Sequence, residues 1–319
     1  MKKLLLAATI LTFVGTAPLA LAAGPIDGKI YGKINISLVN TDSNSDDVWK
    51  LNSNASRIGF KGATAIADGL EVFYQAEFGV CVDDGDCSKN NAGDQTFKQR
   101  NIMGGIKGGF GSVWAGNHDT PTKMAQKKID LFSNLEGDIK STFEGENRAS
   151  NIVAYSAPKM GDFSATVAVM PGEGDNGTGL TDAVSYSLSY SKDNLYIAVA
   201  GDQDVDNQDL LRIVSQYQMD ALQLGLMYQQ NDKADGSLDE SGIFASTAYK
   251  SGQLTYKAQY GTMEDDADND KETTLSLGAD YKLAKNTKTF VFYTNNTDTK
   301  ADGSETESST FGIGLEHKF

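Results

Sequence analysis

The stretch that decides the fold is VSYSLSYS, residues 184–191. Val184, Tyr186, Leu188 and Tyr190 fall on one face of an extended chain, and four serines fall on the other. An alternation of period two over this length predicts a β-strand with one apolar face and one polar face.

The same alternation recurs along the chain, for example in ALQLGLMYQQ (221–230) and in FGIGLEHKF (311–319). The connections between these runs alternate between short and long. Short ones carry Gly, Asp or Asn, which supply the positive φ of hairpin turns. Long ones, such as NTDSNSDDVWK (40–50) and DQDVDNQD (202–209), are rich in polar residues. The pattern predicts sixteen strands, seven short turns and eight long loops.

Two architectures accept such strands. A soluble sandwich hides apolar faces between two sheets, whereas a transmembrane barrel turns them toward lipid and keeps a polar interior. The asymmetric connections, the complete serine face and the tyrosines near strand ends favour the barrel. An all-β, sixteen-stranded antiparallel transmembrane barrel is predicted, and a barrel of this size has an aqueous lumen.

Composition excludes some functions. The formal charge is −15, and it is −17 without residues 1–22 (26 basic minus 43 acidic residues), which disfavours a nucleic-acid partner. Only two histidines occur, and we find no catalytic triad, cofactor motif or metal-ligand spacing. We expect neither an enzyme nor a cofactor.

The first 22 residues predict a cleaved export signal. Lys2 and Lys3 precede an apolar core, and Ala20 and Ala22 flank the expected cleavage point. The remaining 23–319 are expected to form one barrel domain. In an exported chain, Cys81 and Cys87 of CVDDGDC are expected to form a disulfide; a metal site is the alternative.

Three segments carry a family resemblance: IDGKIYGKINISL (26–38), SRIGFKGATAIADGLEVFYQAEF (56–78) and QRNIMGGIKGGFGSVWAGNHDTP (99–121). Together with the aromatic-ended last strand, they resemble the general diffusion porins of Gram-negative outer membranes. The resemblance implies a multi-pass outer-membrane barrel that contacts lipid and lipopolysaccharide, assembles as a homotrimer through its second loop, and uses Phe319 as an assembly signal.

The resemblance also implies a charged constriction. The segment from Asp119 to Ser150 corresponds to a third loop that folds inward and narrows the pore. It supplies Asp130, Glu136 and Asp138 as an acidic side, with Asn134 as the alternative to Glu136. The opposing basic wall comprises Lys33, Arg57, Arg100 and Arg148. Strand parity independently turns Lys33 and Arg57 toward the lumen, whereas Arg100 needs a bulge or rests on the resemblance.

The expected function is passive diffusion of ions and small hydrophilic solutes. Acidic loop tips predict a weak preference for cations. A substrate-specific channel, for example for sugars, and a soluble exported β-rich adhesin or binding protein are the alternatives.

Overall fold

The computed structural model describes residues 28–43, 46–87, 95–173, 179–233, 239–266 and 269–319. The predicted signal segment, residues 1–22, lies outside these ranges and remains a prediction. Almost all of the described chain is strand. The strands are β1 (Gly28–Ser43), β2 (Asp46–Ser53), β3 (Arg57–Ala67), β4 (Leu70–Val80), β5 (Phe97–Gly108), β6 (Gly111–Asp119), β7 (Arg148–Ser156), β8 (Phe163–Met170), β9 (Ala183–Lys192), β10 (Leu195–Val205), β11 (Gln208–Met219), β12 (Leu222–Asp232), β13 (Asp239–Ser251), β14 (Leu254–Asp265), β15 (Lys271–Ala284), β16 (Thr287–Thr299) and β17 (Glu305–Lys318).

The strands form one antiparallel sheet that closes on itself. Except for β2 and β3, which both pair with β1, each strand pairs with its sequence neighbour, and β17 returns to pair with β1, with Ile36 opposite Leu315. The backbone of Phe319 extends this pairing through two hydrogen bonds to Gly32, of 2.9 and 3.1 Å. Closure removes both sheet edges, as a barrel in lipid requires, and it confirms the predicted barrel.

The seventeen strand segments occupy sixteen positions in the barrel. Both β2 and β3 pair with β1, and the residues between them interrupt a single staggered strand. Ala55 adopts a positive φ of 50°, Asn54 donates to Ser37, and Ser56 exchanges hydrogen bonds with the backbone of Asn35. The predicted count of sixteen strands is therefore confirmed.

The two faces of the barrel wall differ as the alternation predicts. On β9, Leu188 is 50% exposed on the outer face, whereas Ser185 is fully buried on the inner face. Large apolar residues are exposed on the outer face of strands around the barrel. The inner face is mainly polar, although several strands also place apolar side chains there.

The seven predicted short turns are present, for example at Asp193, where φ is 49°, and at Gly252, where φ is 62°. Two predicted long loops are wrong. At 202–209, β10 and β11 run through the polar sequence and leave a two-residue turn at Asp206 and Asn207, both with positive φ. At 40–50, β1 and β2 extend to Ser43 and from Asp46. Asp and Asn tolerate a positive φ and therefore also occur in tight turns. A polar composition was thus a poor indicator of a long loop.

Residues 120–147 connect β6 to β7 and form the only long connection that lies entirely in the described ranges. We call them the long segment. The long segment contains α1 (Pro121–Ala125), capped by Thr120, and a short 3₁₀ turn (Ile139–Ser141). Among the described residues, no helix has the length and apolar composition needed to cross a bilayer.

Candidate functional site

A cavity of 590 Å³ lies between the inner faces of β3–β7 and the long segment. Its charged lining residues are Arg57, Lys98, Arg100, Asp119, Lys123, Lys127, Asp138, Lys140, Glu146 and Arg148. Seven of these are basic and three are acidic, so the lining carries a formal excess of four positive charges. Three of the four predicted basic-wall residues, Arg57, Arg100 and Arg148, border this cavity.

Arg100 reaches the cavity because β5 bulges. Ala76 pairs with Ile102, but Phe78 pairs with Gln99, so β5 has one extra residue opposite Glu77. A bulge of this kind redirects a side chain that would otherwise follow the outer-face parity. Arg100 Nε donates to Glu77 Oε1 at 2.7 Å, and Arg57 Nε lies 3.6 Å from Glu77 Oε2. One acidic side chain thus holds two arginines side by side.

Arg148 has its own acidic partner. Its guanidinium lies 2.8 Å from Asp119 Oδ1 and donates to Asn101 at 2.6 Å. Asp119 also lies 3.3 Å from Lys123 in α1. This carboxylate therefore connects the basic wall to the beginning of the long segment.

Lys33 occupies a different environment from the other three basic residues. It is 5% exposed, does not border the cavity, and lies 3.7 Å from Glu316. It is also the cross-strand partner of Arg57. Like charges on opposed residues repel, and Glu316 and Glu77 compensate this repulsion.

The side chains of the three predicted acidic residues do not all point toward the cavity. Asp130 accepts hydrogen bonds from the backbone of Phe132 and Ile139, at 3.0 and 3.3 Å. Glu136 accepts one from Asn52 at 2.6 Å. Only Asp138 borders the cavity, and both of its carboxylate oxygens accept backbone N–H groups of the long segment.

Asp130 is electrostatically unusual. Burial, followed by the neighbouring charge of Asp138, raises the pKa of Asp130 to about 8, although two backbone N–H donors oppose the shift. A carboxyl with this pKa is mostly protonated at neutral pH. It therefore contributes hydrogen bonds to the long segment rather than a full negative charge.

Apolar contacts hold the long segment against the inner faces of the far strands. Ile129, Ile139 and Phe143 pack with inner-face residues such as Val214 and Phe244. Phe132 packs with Val39, Phe290 and Phe292, next to Leu131 and Leu135 of the segment. Phe244 on β13 and Phe290 and Phe292 on β16 thus lie on an inner face that the alternation predicted to be polar.

Polar contacts secure the same segment. Thr122 donates to Asp202 at 2.6 Å, Tyr196 donates to the carbonyl of Ala125 at 2.9 Å, and Gln259 accepts from the backbone of Leu131 at 2.9 Å. Lys257 donates to the carbonyl of Leu131 at 3.1 Å and pairs with Asp280 at 2.8 Å.

No sequence motif points to Arg212, which is fully buried. Its guanidinium pairs with Glu146 at 2.8 Å, donates to the carbonyl of Glu144 at 2.7 Å, and donates to Gln229 at 2.7 Å. Parity offered a signal, because Leu211 and Ile213 on either side are exposed on the outer face. Strand parity could not identify the ion-pair partner of Arg212, because Glu146 lies 66 residues away in the sequence.

The Cys81–Cys87 disulfide is present, with a Cα–Cα distance of 5.3 Å, and both cysteines border the cavity. The predicted pairing is confirmed. Asp83 in the ring accepts a hydrogen bond from the backbone of Ser53 at 3.2 Å, which ties the ring to the interruption before Arg57. The rest of the predicted second loop, residues 88–94, lies outside the described ranges.

Comparison with known proteins agrees with this architecture. A family model described as Gram-negative porin matches residues 7–318. Major outer membrane protein P.IB of Neisseria lactamica is 25% identical, with 100% of each chain covered. P.IB of a Neisseria gonorrhoeae strain is 25% identical, covering 91% of this chain and 92% of the relative.

Solved structures share the fold. OmpF of Salmonella typhi in complex with daunomycin superposes with a TM-score of 0.72 at 16% identity, covering 92% of this chain and 97% of that one. A loop-deletion mutant of OmpT of Vibrio cholerae superposes with a TM-score of 0.71 at 18% identity, covering 92% of this chain and 99% of that one. With the closed barrel, the apolar outer face and the family match over nearly the whole chain, this chain belongs to the Gram-negative porins, the diffusion channels of the outer membrane.

Proposed function

We propose that ions and small hydrophilic solutes cross the outer membrane through the charged cavity, and that the long segment forms the narrowest part of the pore. The observation that carries this proposal is the position of the cavity. It separates the basic wall from a segment whose other side is hydrogen-bonded and packed to the inner faces of β9–β16. A solute passing between them meets fixed charge on both sides.

The lining charge supports a preference for anions at this point. Seven basic residues face three acidic ones, and rings of basic side chains favour anions in pores. The acidic loop tips act in the opposite direction and were the basis for the predicted cation preference. In water at physiological salt, however, screening limits the reach of a charge to about 8 Å. The charges inside a narrow passage therefore determine selectivity.

Reversal potential in a potassium chloride gradient tests this proposal. We expect a sign that corresponds to excess chloride permeability, which increases as salt is lowered because screening weakens. A reversal potential of the opposite sign would instead support the predicted cation preference. Rubidium acetate and lithium chloride gradients provide controls, since each alters the mobility of one ion only.

A passage specific for sugars has less support. Four inner-face aromatics on β10, β13 and β16, namely Tyr196, Phe244, Phe290 and Phe292, are all at least 92% buried, and all four pack in the clusters that contain the long segment. They are covered and do not form an open surface on which a sugar ring could stack.

We further propose a homotrimer in contact with lipid and lipopolysaccharide. The apolar outer face supports the lipid contact. A solved relative, OmpT of Vibrio cholerae, is described in a trimer form. Planar-bilayer recordings test assembly directly: three equal current steps for each insertion event are expected, and single isolated steps would contradict the trimer.

Phe319 is proposed as an assembly signal. Its ring lies over Gly32, where an added Cβ would come within 2.3 Å of the ring, and it is 52% exposed. Deleting Phe319 should reduce insertion into the outer membrane while leaving the conductance of inserted channels unchanged. Normal insertion of the truncated chain, measured by heat-modifiable gel mobility, would contradict this role.

A further inference from the structure

A second cavity, of 450 Å³, lies on the wall formed by β1 and β3–β5. Its lining includes Lys29, Lys61, Phe73, Gln75, Met103 and Lys107. These residues are closer than Arg57 and Arg100 to the short turns at residues 68–69 and 109–110. The cavity is therefore on the short-turn side of the constriction, along the same basic wall.

Two of its lysines face each other with no ion-pair partner in the part of the chain that the structure describes. Lys29 and Lys61 are directly opposed in the antiparallel pairing of β1 and β3, and both are exposed. Like charges in this arrangement destabilise a sheet. No ion pair involves either residue within the described ranges. The only aromatic contact of the pair is Lys61 Nζ at 5.1 Å from the ring centre of Tyr31.

The charges next to this pair on the wall are compensated. Lys107 pairs with its cross-strand neighbour Glu71 at 2.7 Å. In the next opposed basic pair, Lys33 forms an ion pair with Glu316 and Arg57 forms one with Glu77. The Lys29–Lys61 pair thus differs from its neighbours in leaving two ammonium groups available to a soluble anion.

An apolar surface adjoins the lysine pair. Across the sheet, Lys61 is followed by Gln75 and then by Met103. Phe73 and Met103 are partly buried and pack against the cluster that contains Trp114 and Ile152. A ligand here meets positive charge at one end, an amide beside it, and an aromatic and a thioether surface at the other end.

We propose that this cavity is a binding site for small amphiphilic anions, with a carboxylate or phosphate between Lys29 and Lys61 and an apolar group against Phe73 and Met103. The inference rests on the proposed water-filled lumen. Occupancy would retain such solutes briefly beside the constriction and reduce the ion current while they are bound.

Phenyl phosphate is a suitable probe. Two controls each share one of its groups: inorganic phosphate has the anionic group, and benzyl alcohol has the aromatic ring. We expect phenyl phosphate added on the short-turn side to interrupt the current at about tenfold lower concentration than either control, as one apolar contact surface and one charged contact predict. Equal potency of phenyl phosphate and inorganic phosphate would overturn the amphiphilic site.

Variants separate the two halves of the site. The double substitution Lys29→Gln with Lys61→Gln should raise the half-blocking concentration of phenyl phosphate about tenfold. Phe73→Ala should weaken block by phenyl phosphate but not by inorganic phosphate. The matched control, Lys282→Gln with Lys285→Gln, removes two exposed lysines near another short turn. Block that is unchanged in the Lys29/Lys61 variant, or equally weakened in the control, overturns the proposal.

The same membranes report the proposed selectivity independently. A reversal potential that favours chloride together with absent block would reject this site alone. Block by phenyl phosphate with a reversal potential that favours potassium would reject the anion preference of the constriction alone. Unchanged conductance and heat-modifiable mobility confirm that each variant has folded and inserted.

Discussion

The two sides of the lumen use charge differently. On the β3–β7 side, Arg57, Arg100 and Arg148 line open space and are held in place by Glu77 and Asp119. On the β10–β16 side, Arg212 and Lys257 are covered by the long segment and donate to its backbone. The first arrangement presents charge to a solute, whereas the second uses charge to position a loop. A basic residue in a lumen is therefore not evidence of a selectivity role until its partner is known.

The strongest test of this distinction is a matched pair of arginine substitutions. Arg212→Met leaves Glu146 buried without its charged partner, and breaking such a pair costs about 3–5 kcal/mol. The long segment should detach at the end that contains Glu144 and Glu146, so that single-channel current becomes noisier and protease cleaves after Lys140. Susceptibility to trypsin added to the folded channel measures this.

Arg100→Met is the control, because Glu77 retains Arg57 and the hydroxyl of Tyr31 at 3.1 Å. We expect this variant to remain resistant to trypsin and to change selectivity only. Comparable cleavage of both variants would show that the two sides do not differ as described. Adding Glu146→Gln to Arg212→Met should restore part of the resistance, since it removes the unpaired buried charge.

A smaller effect is expected from changing charge without removing a partner. Lys98 and Lys140 border the cavity from opposite sides and are exposed. Replacing both with Glu changes the formal lining charge from +4 to 0. At an interaction energy of about 1 kcal/mol for a unit charge near 4 Å in a water-like medium, the anion-to-cation permeability ratio should fall about fivefold.

Lys159→Glu with Lys285→Glu is the corresponding control. These lysines lie in short connections outside the cavity, and the substitution changes net charge by the same amount. Reversal potentials at low salt should distinguish the two variants. Equal shifts would indicate that selectivity follows total charge, as the negative loop tips had predicted.

The comparison also explains how far the sequence could be interpreted. Period-two alternation determines which face of each strand meets lipid, so the closed barrel and the inward orientation of Lys33 and Arg57 were predictable. Alternation alone did not predict the inward orientation of Arg100, which came from the resemblance and depends on one extra residue opposite Glu77. A bulge breaks the periodicity on which such predictions depend.

The acidic residues illustrate a second limit. Matching a family motif gives the positions of Asp130 and Asp138 in the long segment but not the direction of their carboxylates. The long segment is not a strand, so no alternation of faces along it predicts the direction of a side chain. Both carboxylates accept backbone N–H groups, which is a common role of Asp in tight turns. Their function had been inferred from charge alone, whereas the contacts indicate a role in shaping the segment.

The last effect concerns Asp130 and pH. Its pKa is raised to about 8 from the ordinary 3.8, so the seated segment holds a proton that a detached segment releases. Stability from this group is complete below about pH 4 and is lost as pH rises through 8. This raised pKa already includes the opposing effect of the two backbone donors, Phe132 and Ile139, and each pH unit between 6 and 8 weakens seating of the segment by up to about tenfold. We therefore expect brief current interruptions to become clearly more frequent between pH 6 and 9.

Asp130→Asn separates this cause from general alkaline effects. The amide keeps an acceptor oxygen and cannot ionise, so the variant should show the same frequency of interruptions at pH 6 and pH 9. Glu136→Gln serves as the control, because Glu136 contacts Asn52 on β2 rather than the backbone within the segment. If Asp130→Asn retained the full pH dependence, the titrating group would have to lie elsewhere. Asp130 would then be ionised while seated, and the acidic side of the constriction would regain the charge that the motif assigned to it.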